Sequence, residues 1–241
     1  MDREWRSRPR TAASAATAPF DTNQRRFPDT DAGRDGPIVG GLTKRWFDIS
    51  IASVAIVLLL PLLCLIALGI KLLSPGPVLY RHRRVGANGV TFDCLKFRTM
   101  VVNGDEVLQR HLVNDPDAAR EWSSERKLRN DPRVTWLGLS LRKTSVDELP
   151  QLINILRGEM SIVGPRPIVA AEVPKYADGL GHYFRARPGL TGLWQVSGRN
   201  DADYATRVNL DCHYVQNWSF WRDLAIIATT VRVVATSRGC Y

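Results

Sequence analysis

The chain has 241 residues, with 33 Lys and Arg against 24 Asp and Glu, so its formal net charge is +9. This length allows one ordinary domain with appendages, and the charge suits nucleic acid, an anionic membrane surface or a phosphorylated substrate. The four cysteines lie far apart and form no C-x-x-C pair, which argues against a disulfide framework or a zinc site and is typical of a reducing compartment.

Residues 1–42 are predicted to form a disordered tail. They are rich in Arg, Ala, Thr, Asp and Pro and show neither helical nor strand periodicity. No apolar segment follows the first basic residues closely, so a secretory signal peptide is not expected.

Residues 43–75 contain an apolar segment, in which the 22 residues from 49 to 70 carry no charge. A membrane helix needs about 20 such residues, whereas a buried soluble helix is the alternative. Pro61 lies near the middle and is expected to break the helix. Basic residues flank both ends, although a spanning helix normally has its basic excess on the cytoplasmic side. We therefore expect a re-entrant helical hairpin with both ends in the cytoplasm.

Residues 76–241 are predicted to form a cytoplasmic domain that begins with a small β-hairpin. Two β-prone runs flank Asn88 and Gly89, a pair typical of hairpin turns. On the second strand Lys96 and Arg98 share one face, which is either functional or simply solvated. Farther along, 115–117 and 201–203 match a short D-x-D metal pattern, but such a short pattern has a high false-positive rate, and no metal role is expected for either.

Two adjacent carboxylates, Asp147 and Glu148, lie near the centre of the chain. Ser145 followed by Glu148 matches a capping box at the start of an apolar helix, so both carboxylates are expected in its first turn, where the helix dipole favours the ionised form. Arg142 precedes them, and prolines flank Arg166, which would hold that guanidinium on a stiff support. Simple capping is the alternative, but fixed cations beside carboxylates indicate phosphate chemistry.

The last part of the chain contains a Gly- and Arg-rich loop at 183–200, whose composition suits either phosphate binding or a plain surface loop. Helices are predicted at 204–217 and from 218 onward. Trp218, Phe220 and Trp221 at the start of the second helix are expected at a membrane interface or in the core. The fold class is thus α+β and mainly helical: a re-entrant membrane hairpin, a small β-hairpin, and a cytoplasmic helical catalytic core with interfacial amphipathic helices.

Several segments together resemble the bacterial monotopic phosphoglycosyl transferases, sugar transferases that start exopolysaccharide and O-antigen assembly. The matching segments are 44–48, 96–100, 147–152, 164–167, 187–192, 197–200 and 211–215. The resemblance covers the chain from about residue 43 to residue 241. It is strongest for the undecaprenyl-phosphate hexose-1-phosphate (galactose) transferases of succinoglycan-type synthesis, whose pattern also includes 131–135 and 237–239.

The resemblance implies a reaction at the cytoplasmic face of the bacterial inner membrane. A UDP-hexose, UDP-galactose or UDP-glucose, gives hexose 1-phosphate to undecaprenyl phosphate through a covalent aspartyl-phosphosugar intermediate and releases UMP. The resemblance implies Asp147 as the nucleophile, Glu148 as a Mg²⁺ ligand and Asp211 as a substrate-binding residue. The candidate cations for the phosphates are Lys96, Arg98, Arg142, Arg166, Arg187 and Arg199.

Two other functions are compatible with parts of the sequence. A non-catalytic, membrane-anchored scaffold with a basic face would use the carboxylates only as caps. A nucleic-acid-binding module would explain only the charge, since no recognisable reading motif is present, and no nucleic-acid partner is expected. The identity of the hexose and the formation of a homo-oligomer are left open by the sequence.

Overall fold

The computed structural model describes residues 36–125, 128–197 and 203–235. Its helices are α1 Gly41–Leu73, α2 Gly104–Asn114, α3 Pro116–Glu125, α4 Trp136–Lys143, α5 Gln151–Arg157, α6 Leu180–Phe184, α7 Leu193–Val196, α8 Tyr204–Gln216 and α9 Phe220–Ala235. Its strands are β1 Leu79–Val85, β2 Thr91–Phe97, β3 Ser161–Val163 and β4 Gly189–Thr191, and 3-10 turns lie at Ala87–Gly89, Val146–Glu148 and Ala170–Gly179. The expectation of a mainly helical chain with little β structure is confirmed.

The predicted hairpin is confirmed. Strands β1 and β2 pair antiparallel, with Leu79 opposite Phe97 and Val85 opposite Thr91. Asn88 and Gly89 take left-handed backbone conformations, with φ 54° and 69°, which is the reason that Asn-Gly favours such turns. A second sheet, in which β3 and β4 run parallel, was not predicted because each strand has only three residues.

Helix α1 runs without interruption from Gly41 to Leu73 and contains Pro61. The expected break at that proline is therefore not seen, because the helical backbone continues through it. By length and apolar composition α1 could cross a membrane, and little of its most apolar part is buried in the protein. Val57 and Leu65, on either side of the proline, are 71% and 66% exposed.

Both ends of α1 pack against the domain that follows it. Near the start, Ala52 lies in the main core with Leu152 and Ile155 of α5. Near the end, Ile66 and Ile70 pack with residues of β2 and α4, and Leu137 of α4 lies against them. The exposed apolar stretch therefore lies between two anchored ends.

A buried polar cluster holds the start of α1. The ammonium of Lys44 donates to Asp223 of α9 at 2.5 Å, and the two side chains are 6% and 1% exposed. Tyr214 and Trp218 donate to the same carboxylate. Trp218 therefore packs inward, and of the three aromatic residues expected at the interface Trp221 is the one largely exposed, at 77%.

Candidate functional site

The two adjacent carboxylates lie in the 3-10 turn Val146–Glu148, between α4 and α5. The predicted capping box is wrong: Ser145 has φ 56° and makes no side-chain cap, whereas a capping residue needs an extended backbone. Ser145 instead ends the preceding helix, where its N–H donates to the Arg142 carbonyl at 3.1 Å, and left-handed residues commonly occupy that position. Helix α5 begins only at Gln151, so Asp147 is not in its first turn.

Asn154 fixes α5, and with it the turn, against strand β2. Its side-chain oxygen accepts from the Leu95 N–H at 3.0 Å, and its amide donates to the Asp93 carbonyl at 2.8 Å. Asn154 is fully buried, so these bonds replace lost water contacts. This role was not predictable from the sequence, where Asn154 is one polar residue in an apolar helix.

Asp147 is buried, and burial raises its pKa to about 6; the charge of Glu148 adds to the rise, while Lys96 and Arg142 oppose it. Because Asp147 is not in the first turn of α5, the expected stabilisation of its ionised form by that helix terminus is absent. Desolvation outweighs the nearby cations. At neutral pH the carboxylate is still mostly ionised, but poorly hydrated.

Two of the predicted cations lie at the carboxylates. The Lys96 ammonium reaches from β2 to Glu148 at 2.5 Å. Arg142, in the last turn of α4, donates from Nε to the Thr99 hydroxyl at 2.8 Å, which orients its guanidinium. The structure thus places one cation from the sheet and one from α4 around the acidic pair.

His82 and Arg84 of β1 extend this site along the hairpin, and sequence reasoning missed both. They lie opposite Cys94 and Phe92, on the same face as Lys96. Burial, followed by the charges of Arg84 and Lys96, lowers the pKa of His82 to about 4, so the imidazole is neutral. The signal was present as a run of basic residues in β1, which we interpreted only as the membrane flank.

Arg166 lies beyond Arg84, on the rigid proline corner. Arg84 donates to the Pro167 carbonyl at 3.1 Å, and the Arg166 guanidinium lies 5.3 Å from the centre of the Trp194 ring. Arg207 of α8 lies 5.2 Å from the same ring. We call Lys96, Arg84, Arg166 and Arg207 the cationic strip.

Asp211 supports this corner from inside the protein. It is 2% exposed and accepts a hydrogen bond from the Tyr176 hydroxyl at 2.7 Å. Burial raises its pKa to about 6, opposed by the Tyr176 bond, Arg207 and the Arg166 backbone. Its oxygens are thus occupied by the protein, and its place in the site is to position Arg166.

Two other predicted cations, Arg98 and Arg187, bind backbone carbonyls and not the carboxylates. Arg98 donates to the Ser74 and Pro75 carbonyls at 2.6 and 2.9 Å and so closes the end of α1. Arg187 donates to the Gly158 carbonyl at 3.1 Å. Arg199 lies outside the described residues.

The turn offers a magnesium ion few protein ligands. Within the described ranges no group of three or more His, Cys, Asp or Glu side chains could hold a metal. Mg²⁺ usually keeps water and binds through one or two carboxylates and substrate phosphates. Glu148, which is 37% exposed, fits such a site as the one protein ligand. The D-x-D patterns instead supply helix caps, at Asp115 and Asp203.

The model of the family "Bacterial sugar transferase" matches residues 39–237. The chain is 53% identical to the exopolysaccharide production protein ExoY of Rhizobium meliloti over 96% of this chain and all of that protein. It is 52% identical to the undecaprenyl-phosphate galactose phosphotransferase of Salmonella typhimurium over 82% of this chain and 41% of that protein. It is 43% identical to the UDP-glucose:undecaprenyl-phosphate glucose-1-phosphate transferase of Caulobacter vibrioides, over 83% and 72% of the two chains.

Proposed function

The chain belongs to the bacterial sugar transferase family, and on that premise we propose that it is a phosphoglycosyl transferase. It transfers hexose 1-phosphate from UDP-galactose or UDP-glucose to undecaprenyl phosphate and so starts assembly of an exopolysaccharide repeat unit. The observation that carries the proposal is the position of Asp147, which is buried in the turn Val146–Glu148 beside the Glu148–Lys96 ion pair and interacts with the charge of Arg142. Such a carboxylate is ionised at neutral pH yet poorly solvated, which increases its reactivity as a nucleophile.

In the first step the Asp147 carboxylate attacks the β-phosphorus of the UDP-hexose. A bond forms between the carboxylate oxygen and phosphorus, the bond to the bridging oxygen breaks, and UMP leaves with that electron pair. The cationic strip begins at Lys96 on β2 and continues through Arg84 on β1 to Arg166. It suits the diphosphate, because fixed cations in a partly dry site stabilise the charge of a phosphoryl transition state.

In the second step an oxygen of undecaprenyl phosphate attacks the same phosphorus and displaces Asp147. The carboxylate is regenerated, and undecaprenyl-diphosphate hexose is formed. Arg142 is the cation nearest this exchange on the α4 side, since it lowers the pKa of Asp147 and its guanidinium is held by Thr99. The Arg142 guanidinium can neutralise the charge of an incoming phosphate with little movement of its own.

Glu148 would hold Mg²⁺ together with phosphate oxygens of the substrate. The metal would supply Lewis-acid charge to the diphosphate. Glu148 is bound to Lys96, so that ion pair would have to open for Glu148 to hold the metal, and the Lys96 ammonium would then be available to the substrate.

We further propose that α1 is embedded in the cytoplasmic leaflet of the inner membrane without crossing it, so that both of its ends stay on the cytoplasmic side. The support is that both of its ends pack on one domain, while its middle is apolar and exposed. A helix that crossed the bilayer would separate those ends by about 30 Å of hydrocarbon. A cysteine placed at Gly41 and one at Gly76 should both be protected from a periplasmic reagent, and labelling of one alone would contradict this topology.

The reaction is tested with UDP-galactose or UDP-glucose labelled in the β-phosphate, Mg²⁺ and undecaprenyl phosphate. Without the lipid, the wild-type protein should retain covalent label and release UMP; with the lipid, it should turn over. Asp147→Asn should lose both, by at least about 10³-fold.

Asp105→Asn is the matched control, because Asp105 and Glu106 are also an adjacent acidic pair, in the first turn of α2. It should behave as wild type. UMP release that is equal in wild type and Asp147→Asn would overturn the assignment of the nucleophile. A non-catalytic scaffold predicts no UMP from any variant.

A further inference from the structure

A cleft on the α4 side of the carboxylates, away from the cationic strip, is not used by the first step above. It has a volume of about 400 Å³ and is lined by residues 128–132, 134–136, 139, 142 and 143. Arg142 lines the cleft, and its charge acts on Asp147. The cleft and the reacting carboxylate therefore share one cation.

Helix α4 lies between this cleft and the end of the membrane helix. Its inner face, through Leu137 and Leu141, packs on Ile66 and Ile70 of α1. Gly138 lets α4 approach closely, since a Cβ there would lie 2.1 Å from the Thr99 carbonyl oxygen. The position of α4 beside the last turns of α1 is therefore tightly defined.

The outer face of α4 is apolar at one end and basic at the other. Trp136 and Leu139 are 78% and 49% exposed, and Lys143 follows one turn later, also exposed. Trp136 also lines a smaller cavity of about 200 Å³ with Ile70 and Leu73 of α1. An apolar surface thus continues from the end of the membrane helix, over Trp136, to Lys143 and Arg142, of which Arg142 acts on Asp147.

We propose that this cleft is the site of the lipid acceptor. The phosphate of undecaprenyl phosphate binds Arg142 and Lys143, and the first isoprene units lie on Trp136 and Leu139 on their way into the bilayer. Charge complementarity selects this occupant: Asp131 in the cleft is neutralised by Arg133, which binds it at 2.7 Å, so the cleft presents a net positive charge. A soluble nucleotide would not need the exposed apolar path to α1.

This inference rests on the proposed function but is tested by binding alone. The full chain is placed in nanodiscs of neutral phosphatidylcholine, and the affinity for labelled undecaprenyl phosphate is measured without a sugar donor. Trp136→Ser and Lys143→Gln should each weaken binding about tenfold, the size expected for the loss of one large apolar contact or one phosphate contact. Failure of UMP release would overturn the proposed function without changing this measurement.

Two matched controls separate the cleft from general membrane attachment. Trp221→Ser removes another exposed tryptophan, and Arg110→Gln removes another exposed cation; both should bind within about twofold of wild type. A prenyl phosphate of two isoprene units should lose affinity with Lys143→Gln but less with Trp136→Ser. Equal binding by wild type and both cleft variants, equal losses in the controls, or displacement by excess phosphatidylglycerol would overturn the proposal.

Discussion

Replacing Lys96 with methionine should move the acid limb of the pH–activity profile to higher pH. Lys96 is the charge that most lowers the pKa of Asp147. Without it, Asp147 keeps its burial and the repulsion of Glu148, so its pKa rises further above about 6. Because only the ionised carboxylate attacks phosphorus, activity is lost as the pH falls through this pKa, and in the variant that loss begins at higher pH.

The size of the shift follows from the exposure of the ion pair. An opposite charge within about 4–6 Å shifts a carboxyl pKa by about 1–3 units. The lower value applies here, because Lys96 and Glu148 are 28% and 37% exposed and water screens them. A pKa that rises from about 6 to about 7 lowers the ionised fraction at pH 6 from about one half to about one tenth. The variant should lose about fivefold more activity at about pH 6 than at about pH 8.

The assay is kcat/KM for UMP release, measured from about pH 5 to about pH 9. Comparison of the two ends of this range separates the effect on ionisation from any loss of phosphate binding, which is independent of pH. Lys175→Met, at an exposed lysine on Ala170–Gly179, serves as the control and should keep the wild-type profile. An unchanged acid limb in Lys96→Met, or one moved to lower pH, would refute the reasoning.

Two further predictions concern buried contacts that hold the site. Lys44→Met should lower the free energy of unfolding by about 3–5 kcal/mol, because it leaves the buried Asp223 without its cation; denaturant titration measures this, and a change under about 1 kcal/mol would contradict it. Tyr176→Phe should cost about 1–3 kcal/mol and lower activity, because Asp211 loses a donor. The control is Tyr204→Phe, because the Tyr204 hydroxyl has no partner among the described residues. It should cost little in the same measurements, and equal losses would show that the Asp211 bond is not the cause.

The fold was predictable where local patterns decide it. The apolar run gave α1, and Asn88-Gly89 gave the hairpin. The parallel pair β3–β4 was not predictable, because Ser161 and Gly189 are joined by a long-range contact and no three-residue strand has a periodicity of its own. The inward packing of Trp218 was not predictable either, because its partner Asp223 is buried by a long-range ion pair with Lys44.

The site was predictable only in part. Asp147, Glu148 and Arg142 are close in the chain, so their proximity was expected, whereas the strand face of Lys96 was equally compatible with solvent and its contact with Glu148 was found only in the structure. The elevated pKa of Asp147 arises from burial, which a sequence does not display. Ser145 was misinterpreted because the same residue type that begins one helix can end another, and only its φ angle distinguishes the two.

Arg98 has a consequence for where the reaction takes place. It binds the carbonyls at the exit of α1, and Lys96, two residues earlier on the same extended segment, binds Glu148. Two strand residues span about 7 Å, so the acidic pair is held close to the end of α1. In the proposed arrangement the protein would therefore work at one fixed level over the lipid, and an acceptor would react only when its phosphate rises to that level.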